Sequence, residues 1–322
     1  MPYGITLDMG PPLHIGYIGL GSQGGGIAEM VASSRHHLVV WARRPGVTDA
    51  YVEKGATAAP SPAALAARAD IVGICVTGDA DVENIVFDHG VLDAMRPRTV
   101  LVIQSTVDPR AVRAIGAQAD NRGVLVVDAP VSGTGTAARQ KQLLVMTGGS
   151  AEAVAAAAPL FETCAGTVVH CGGVGDAQIA KLINNAVFTA NLKLIHDAFE
   201  VGEQIGITAD ALRKVLQAGS ARSFSLDKSE HIFHPDHAPH SAQLLRKDAG
   251  LLASLTDALG IDTGALISVA DLAVDVIQSH RESHENPTQR PTGRVHHRGL
   301  LCAGRLREER PRAYPDESST GP

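Results

Sequence analysis

Short apolar runs alternate with longer amphipathic segments through the first half of the chain. The runs are His14-Ile-Gly-Tyr-Ile-Gly19, His37-Leu-Val-Val-Trp41, Asp70 to Val76, Thr99 to Gln104, Val124 to Val127, Leu143 to Thr147 and Thr167 to Cys171. Brevity, β-branched content and flanking turn residues predict buried strands. Between them lie alanine-rich or helically periodic segments: Pro62–Arg68, Ala80–Phe87, Pro109–Ala119 and Ala151–Phe161. This alternation predicts a parallel or mostly parallel doubly wound sheet, with ligands bound beyond the carboxyl ends of its strands. Three strand ends then face the cleft: Val76-Thr77-Gly78-Asp79, Gln104-Ser105-Thr106, and Asp128-Ala-Pro-Val-Ser132-Gly133-Thr134-Gly135.

The pattern changes at Gly175. Apolar residues recur at Ile179, Leu182, Ile183, Ala186, Val187, Ala190, Leu194, Ala198, Val201 and Ile205. That spacing predicts one helix of roughly thirty residues, about 45 Å long. Lys181 and Asn185 share a face near its start. Further helices are expected after the stop and cap at Gly206-Ile-Thr208, over Leu244–Leu259 and over Gly264–Ile277. The fold class is therefore an α/β Rossmann-type doubly wound sheet followed by an all-helical second domain, joined by a spine helix. The expected division is an N-terminal extension at 1–12, a dinucleotide-binding domain at 13–174, a helical substrate and dimerisation domain at 175–279, and a tail at 280–322. From Arg281 the chain carries eight arginines, no lysine and no sustained apolar period, a composition expected to be disordered.

Composition narrows the partners. The 322 residues carry a formal charge of −6, which gives no general case for nucleic acid or anionic membranes. No run approaches the ~18 apolar residues of a membrane span. Met1 to Pro12 lacks the basic and apolar regions of a secretory signal. Cys75, Cys164, Cys171 and Cys302 are spaced as reduced thiols rather than as a metal or disulfide framework, so a cytoplasmic setting is expected.

The chemistry begins at Gly19-Leu20-Gly21-Ser22-Gln23-Gly24, between the first strand and a helix. The first glycine permits the tight turn. The second lets the backbone approach a pyrophosphate. The third allows close helix–strand packing, with the helix N-terminus facing the phosphates. An NAD site would carry an acid after the second strand, to bind the ribose 2′-hydroxyl. Ala42, Arg43 and Arg44 stand there instead, and a guanidinium suits a 2′-phosphate, so NADP is favoured over NAD. Ser132-Gly133-Thr134 offers hydroxyls and backbone N–H groups suited to a carboxylate. A lysine at a partly buried domain junction has its pKa lowered and can exchange a proton with a carbonyl oxygen that accepts hydride. Asn185, one turn on, can bond a substrate hydroxyl or carboxylate. His231, His234, His237 and His240 recur at intervals of three, but Pro235 and Pro239 break the helix that would align them. A mobile loop over the active site is expected there, and no metal.

Five motifs in order resemble those of the β-hydroxyacid dehydrogenase family, the relatives of 3-hydroxyisobutyrate dehydrogenase and tartronate semialdehyde reductase. They are Gly19-Leu-Gly21-Ser-Gln-Gly24, Ser105-Thr106-Val-Asp-Pro109, Asp128-Ala-Pro-Val-Ser132-Gly133, Gly175 through Lys181 to Asn184-Asn185, and Lys247-Asp248. The resemblance implies hydride transfer between a nicotinamide and a small 3-hydroxyacid or its semialdehyde. It implies Lys181 as the catalytic lysine, Asn185 and Ser132-Gly133-Thr134 as substrate ligands, Thr106 by the nicotinamide and Lys247 beside the cofactor. Thr77 falls with them at a strand end. It also implies a homodimer or homotetramer built through the helical domains. Gln23 replaces the usual methionine, Thr134 a second glycine, and His240 a phenylalanine that helps wall the site. The family's C-terminal helix and Gly-rich, Asp-bearing segment are not legible after Ser279, as if lost or replaced by a shifted reading frame. Two rival readings stand beside this one: an imine reductase-like NADPH enzyme, which usually lacks the lysine, and a non-catalytic cofactor-binding protein with a damaged C-terminal domain.

Overall fold

Strand β1 (His14–Ile18) lies inside the sheet, buried on both faces after its first residue, as a parallel strand covered by helices must be. The computed structural model describes residues 11–285. From β1 the chain runs through α1 (Ser22–Ala32), β2 (His37–Trp41), a short α2 (Asp49–Val52), β3 (Thr57–Ala58), α3 (Pro62–Ala66), β4 (Ile71–Ile74) and α4 (Asp79–Glu83). A wider helical turn, Asn84–Asp88, leads to α5 (Val91–Ala94), β5 (Val100–Ile103), α6 (Pro109–Asp120), β6 (Leu125–Asp128), β7 (Val131–Ser132) and α7 (Gly135–Arg139). The sheet is completed by β8 (Leu143–Gly148), α8 (Ala151–Cys164) and β9 (Ala165–Gly172).

The strand order is β3-β2-β1-β4-β5-β6-β8-β7, with β9 on β8. Pairing is parallel from β3 to β6; β8 runs antiparallel to β6 and β7 and parallel to β9. Successive strand residues point to opposite faces, so each strand feeds two cores. Tyr17, Val40, Val102 and Val127 pack on one face with Ile27 of α1 and Leu160 of α8. Val39, Val72, Leu101 and Ile103 pack on the other with Leu65 of α3, Leu92 of α5 and Val112 of α6. The doubly wound expectation is met. Five further elements, β3, β7, α2, α5 and α7, do not stand out in the sequence; β3 and β7 have only two residues each, too few to show a period.

Beyond the sheet, α9 (Asp176–Gln204) is the predicted spine, 29 residues long. It is followed by α10 (Ala209–Ala218), α11 (Phe224–Phe233), α12 (Ala238–Leu259) and α13 (Leu266–Glu285). Leu192 of α9 packs with Ala242 and Leu245 of α12 and Val274 and Ile277 of α13. Nearer the sheet, Leu182 and Ala186 pack with Leu252. The apolar series read along α9 divides between two faces. Leu182 and Ala186 are buried, whereas Ile183, Leu194 and Ile205 are 44%, 59% and 76% exposed. Among the described residues no helix is long and apolar enough to cross a membrane.

The expected loop at His231–His240 is instead helical on both sides of a short turn, because Pro239 falls in the first turn of α12, where no intrahelical N–H is needed. The rings of His231 and His237 lie 4.0 Å apart there, and no metal-ligating group of three assembles among the described residues. Most of the tail, residues 286–322, lies outside the described residues.

Candidate active site

Three elements meet at the junction of sheet and helices: the carboxyl ends of β1, β4 and β5, the start of α9, and one face of α12. They enclose a cleft of about 550 Å³. Its floor is the glycine turn. Gly19 has φ +96, and a Cβ there would collide with the carbonyl oxygen of Cys75. A Cβ on Gly24 would collide with the carbonyl oxygen of Gly19, so α1 can sit this close to β1 only without one. Gly21, by contrast, faces open space. It precedes the first turn of α1, and no side chain caps that helix N-terminus. Free amide N–H groups with the positive end of the helix dipole behind them are a ready anion site.

The predicted cofactor residues converge on this cleft. Gly19, Leu20, Gly21, Ser22, Gln23 and Gly24 line its floor. Arg43 lies at the β2 end, beside Trp41, Arg44 and His89. Its guanidinium is 83% exposed and 3.9 Å from Asp81, so it remains free to meet another anion. Thr77 and Thr106 line the wall at the ends of β4 and β5. Lys247 of α12 donates to the carbonyl oxygens of Thr106 at 2.5 Å and Thr77 at 3.3 Å, tying the helical domain to both strand ends.

Lys181 stands on the wall between this cleft and a second cavity of about 440 Å³. Its side chain makes no hydrogen bond or ion pair among the described residues, and only 8% of the residue is exposed. Burial pushes its pKa down to about 8, the Asp248 carboxylate opposes that shift and Lys247 adds to it. Asn185 lines both cavities and donates to Asp248 Oδ2 at 2.6 Å. His240, Leu244, Lys247 and Asp248 present one helical face of α12 to the cleft. Gly133 lines the cleft and Ser132 the second cavity, on either side of Lys181.

Thr134 is placed differently from Ser132 and Gly133. Gly133 turns the chain with φ +124, and Thr134 becomes the exposed residue that starts α7, lining neither cavity. Asp128 also lies away from the cleft, beneath the spine. Its carboxylate accepts from the N–H of Gly175 at 2.8 Å and of Gln178 at 3.0 Å, capping the start of α9. Burial raises its pKa to about 6 in spite of those bonds. Gln178, unnoticed in the sequence, bridges spine and sheet: its amide donates to Ser105 O at 2.9 Å and accepts from Val107 N at 3.1 Å. Asp248 was visible only as the neighbour of Lys247. The spacing 240, 244, 247, 248 is the signal that could have placed it on the site.

The donor set fits a dinucleotide. The uncapped helix N-terminus suits a pyrophosphate, and two residues that line the cleft, Gln23 and Gln104, have a buried amide nitrogen without a hydrogen-bond partner among the described residues. A doubly wound sheet with this turn at the point where strand order reverses defines a dinucleotide-binding protein, and a buried lysine lies across the cleft.

Comparison with known proteins agrees. Residues 14–173 match the NAD binding domain of 6-phosphogluconate dehydrogenase, and residues 175–288 match the NAD-binding domain of NADP-dependent 3-hydroxyisobutyrate dehydrogenase. A probable mitochondrial 3-hydroxyisobutyrate dehydrogenase of Dictyostelium discoideum is 30% identical over 260 residues, 76% of this chain and 80% of that protein. An NAD-dependent L-serine dehydrogenase of Pseudomonas aeruginosa is 31% identical over 264 residues, 78% of this chain and 87% of that protein. The structure of Mycobacterium tuberculosis 3-hydroxyisobutyrate dehydrogenase with L-serine superposes with a TM-score of 0.74 at 26% identity, covering 85% of this chain and 95% of that one. The chain belongs to the β-hydroxyacid dehydrogenase family, a family of nicotinamide-dependent oxidoreductases.

Proposed function

We propose that this chain catalyses hydride transfer between NADP, or less favourably NAD, and the carbinol or carbonyl carbon of a small 3-hydroxyacid or its semialdehyde. The observation that carries the reading is Lys181: a buried, unpartnered ammonium on the wall common to the dinucleotide cleft and the second cavity. When bound, the nicotinamide accepts or supplies the hydride.

The remaining work falls to the chain. The N-terminus of α1 holds the pyrophosphate, and Arg43 pairs with the 2′-phosphate. Ser132 Oγ and the backbone about Gly133 hold the carboxylate. In oxidation the substrate O–H proton passes to neutral Lys181 Nζ as the C–H hydrogen leaves with its electron pair. In reduction the ammonium returns that proton to the carbonyl oxygen, where negative charge develops. Asn185, held by Asp248 through one N–H, offers its other N–H to the substrate. His240 adds a polar wall at the mouth of the site. Two copies associate through the exposed apolar face of α9.

Lys181→Met tests the reading. It should lower kcat for 3-hydroxyacid oxidation roughly a hundred- to ten-thousandfold while leaving the dissociation constant of NADPH within about twofold. Steady-state kinetics and fluorescence titration measure the two. Unchanged kcat would remove Lys181 from the mechanism.

A further inference from the structure

Among the described residues, three buried polar side-chain atoms lack a hydrogen-bond partner: Gln23 Nε2, Gln104 Nε2 and Asp248 Oδ1. All three residues line the cleft. Asp248 Oδ1 has Lys247 Nζ 3.1 Å away, out of hydrogen-bonding alignment. Gln104 is set differently, deep in the wall and 2% exposed. A buried amide donor without an acceptor is unfavourable, so such a group marks either a defect or a waiting ligand.

The orientation of Gln104 is fixed from behind. Its backbone N–H donates to Ile74 O at 2.8 Å, extending the ladder between β4 and β5. Its Oε1 accepts from the hydroxyl of Tyr17 at 2.6 Å, a fully buried group on β1. Beside Tyr17 lies the Cys75 thiol, which burial keeps protonated by pushing its pKa to about 12. Turned over, the amide would place its NH₂ against Tyr17 and leave the tyrosine hydrogen only that neutral thiol, a weak acceptor. The carbonyl therefore faces Tyr17, and the NH₂ group is the unpartnered end of a residue that lines the cleft.

Position decides which part of the ligand it meets. The glycine turn fixes the pyrophosphate at the end of β1, and Arg43 fixes the adenosine side beyond β2. The other half must run over the ends of β4 and β5 toward Lys181, and Gln104 directly follows β5. We propose that Gln104 Nε2 donates a hydrogen bond to an acceptor on the nicotinamide half of the dinucleotide, with Tyr17 holding the amide in the orientation that allows it.

The inference rests on the dinucleotide reading of the cleft, and its test separates the two. NADPH and adenosine 2′,5′-bisphosphate, which lacks the nicotinamide half, are titrated against the full chain and against Gln104→Leu. If the wild type binds NADH more tightly, NADH and ADP replace them. The expected result is a roughly five- to tenfold rise in the dissociation constant of the dinucleotide, with that of the bisphosphate changed less than about twofold. Equal weakening of both ligands would make Gln104 a structural residue, and no weakening of either would leave water as its partner. Either result overturns the proposal. If Gln104→Leu alone fails to fold, Tyr17→Phe with Gln104→Leu removes both buried polar partners together and is read in the same way. A wild-type chain that binds neither dinucleotide would refute the cofactor reading itself, and this inference with it.

Discussion

Lys181 keeps its charge where a charge is unfavourable: with a pKa of about 8 against an ordinary 10.5, holding the ammonium at neutral pH costs about 3 kcal/mol. The same shift sets a pH dependence. For oxidation, where the proposed mechanism has neutral lysine take the proton, kcat/KM should rise with pH and level off above about 8. For reduction, where the ammonium gives it, kcat/KM should fall through the same range. The Asp248 carboxylate holds this pKa up, so Asp248→Asn should move both midpoints to lower pH. Paired pH–rate profiles check this, and a midpoint that stays put would exclude Asp248 from tuning Lys181. At the far end of the cleft, Arg43→Asp should weaken NADPH binding roughly tenfold or more and favour NADH. Titration with both cofactors decides it; undiminished NADPH affinity would remove Arg43 from 2′-phosphate recognition.

At the scale of elements, the start of α9 is organised by a carboxylate from another element. Asp128, at the end of β6, caps the spine through Gly175 and Gln178, and Gln178 in turn ties the spine to the loop after β5. The folded state binds the Asp128 proton more tightly than the unfolded chain does, with a pKa of about 6 against an ordinary 3.8. Its contribution is therefore full at low pH and declines by up to about 3 kcal/mol as pH rises from about 4 to 6. Asp128→Asn should flatten that part of the stability profile, as measured by urea unfolding at several pH values. An unchanged slope would mean the carboxyl titrates normally.

These elements also show how far the sequence could be read. The spine, the central strands and the glycine turn were legible because local periodicity records which face is buried. The caps and ties were not. Asp128 meets Gln178 across 50 residues and Asn185 meets Asp248 across 63, and no local period encodes such pairs. Thr134 shows the converse, since its motif suggested a ligand while the backbone turns at Gly133 and leaves it lining neither cavity.

For the whole molecule, α9 presents apolar side chains on a face that the single chain leaves open. Leu194, 59% exposed, lies in the middle of it. An exposed apolar patch of this kind is characteristic of association surfaces. Leu194→Glu should shift the protein toward monomer by size-exclusion chromatography with light scattering, while the glycine turn still binds cofactor. An unchanged mass would place the interface elsewhere. By itself the sequence determined the alternation of strands and helices, the dinucleotide turn, the arginine in place of an acid, and the shared face of Lys181 and Asn185. These follow from steric and periodic rules acting over a few residues. Only the tertiary structure decided that Lys181 is buried beside Asp248, that Asp128 caps the spine, that Thr134 lines neither cavity, and that Tyr17 bonds the carbonyl of the Gln104 amide. Burial and desolvation depend on what the rest of the chain brings alongside, and those neighbours are distant in sequence.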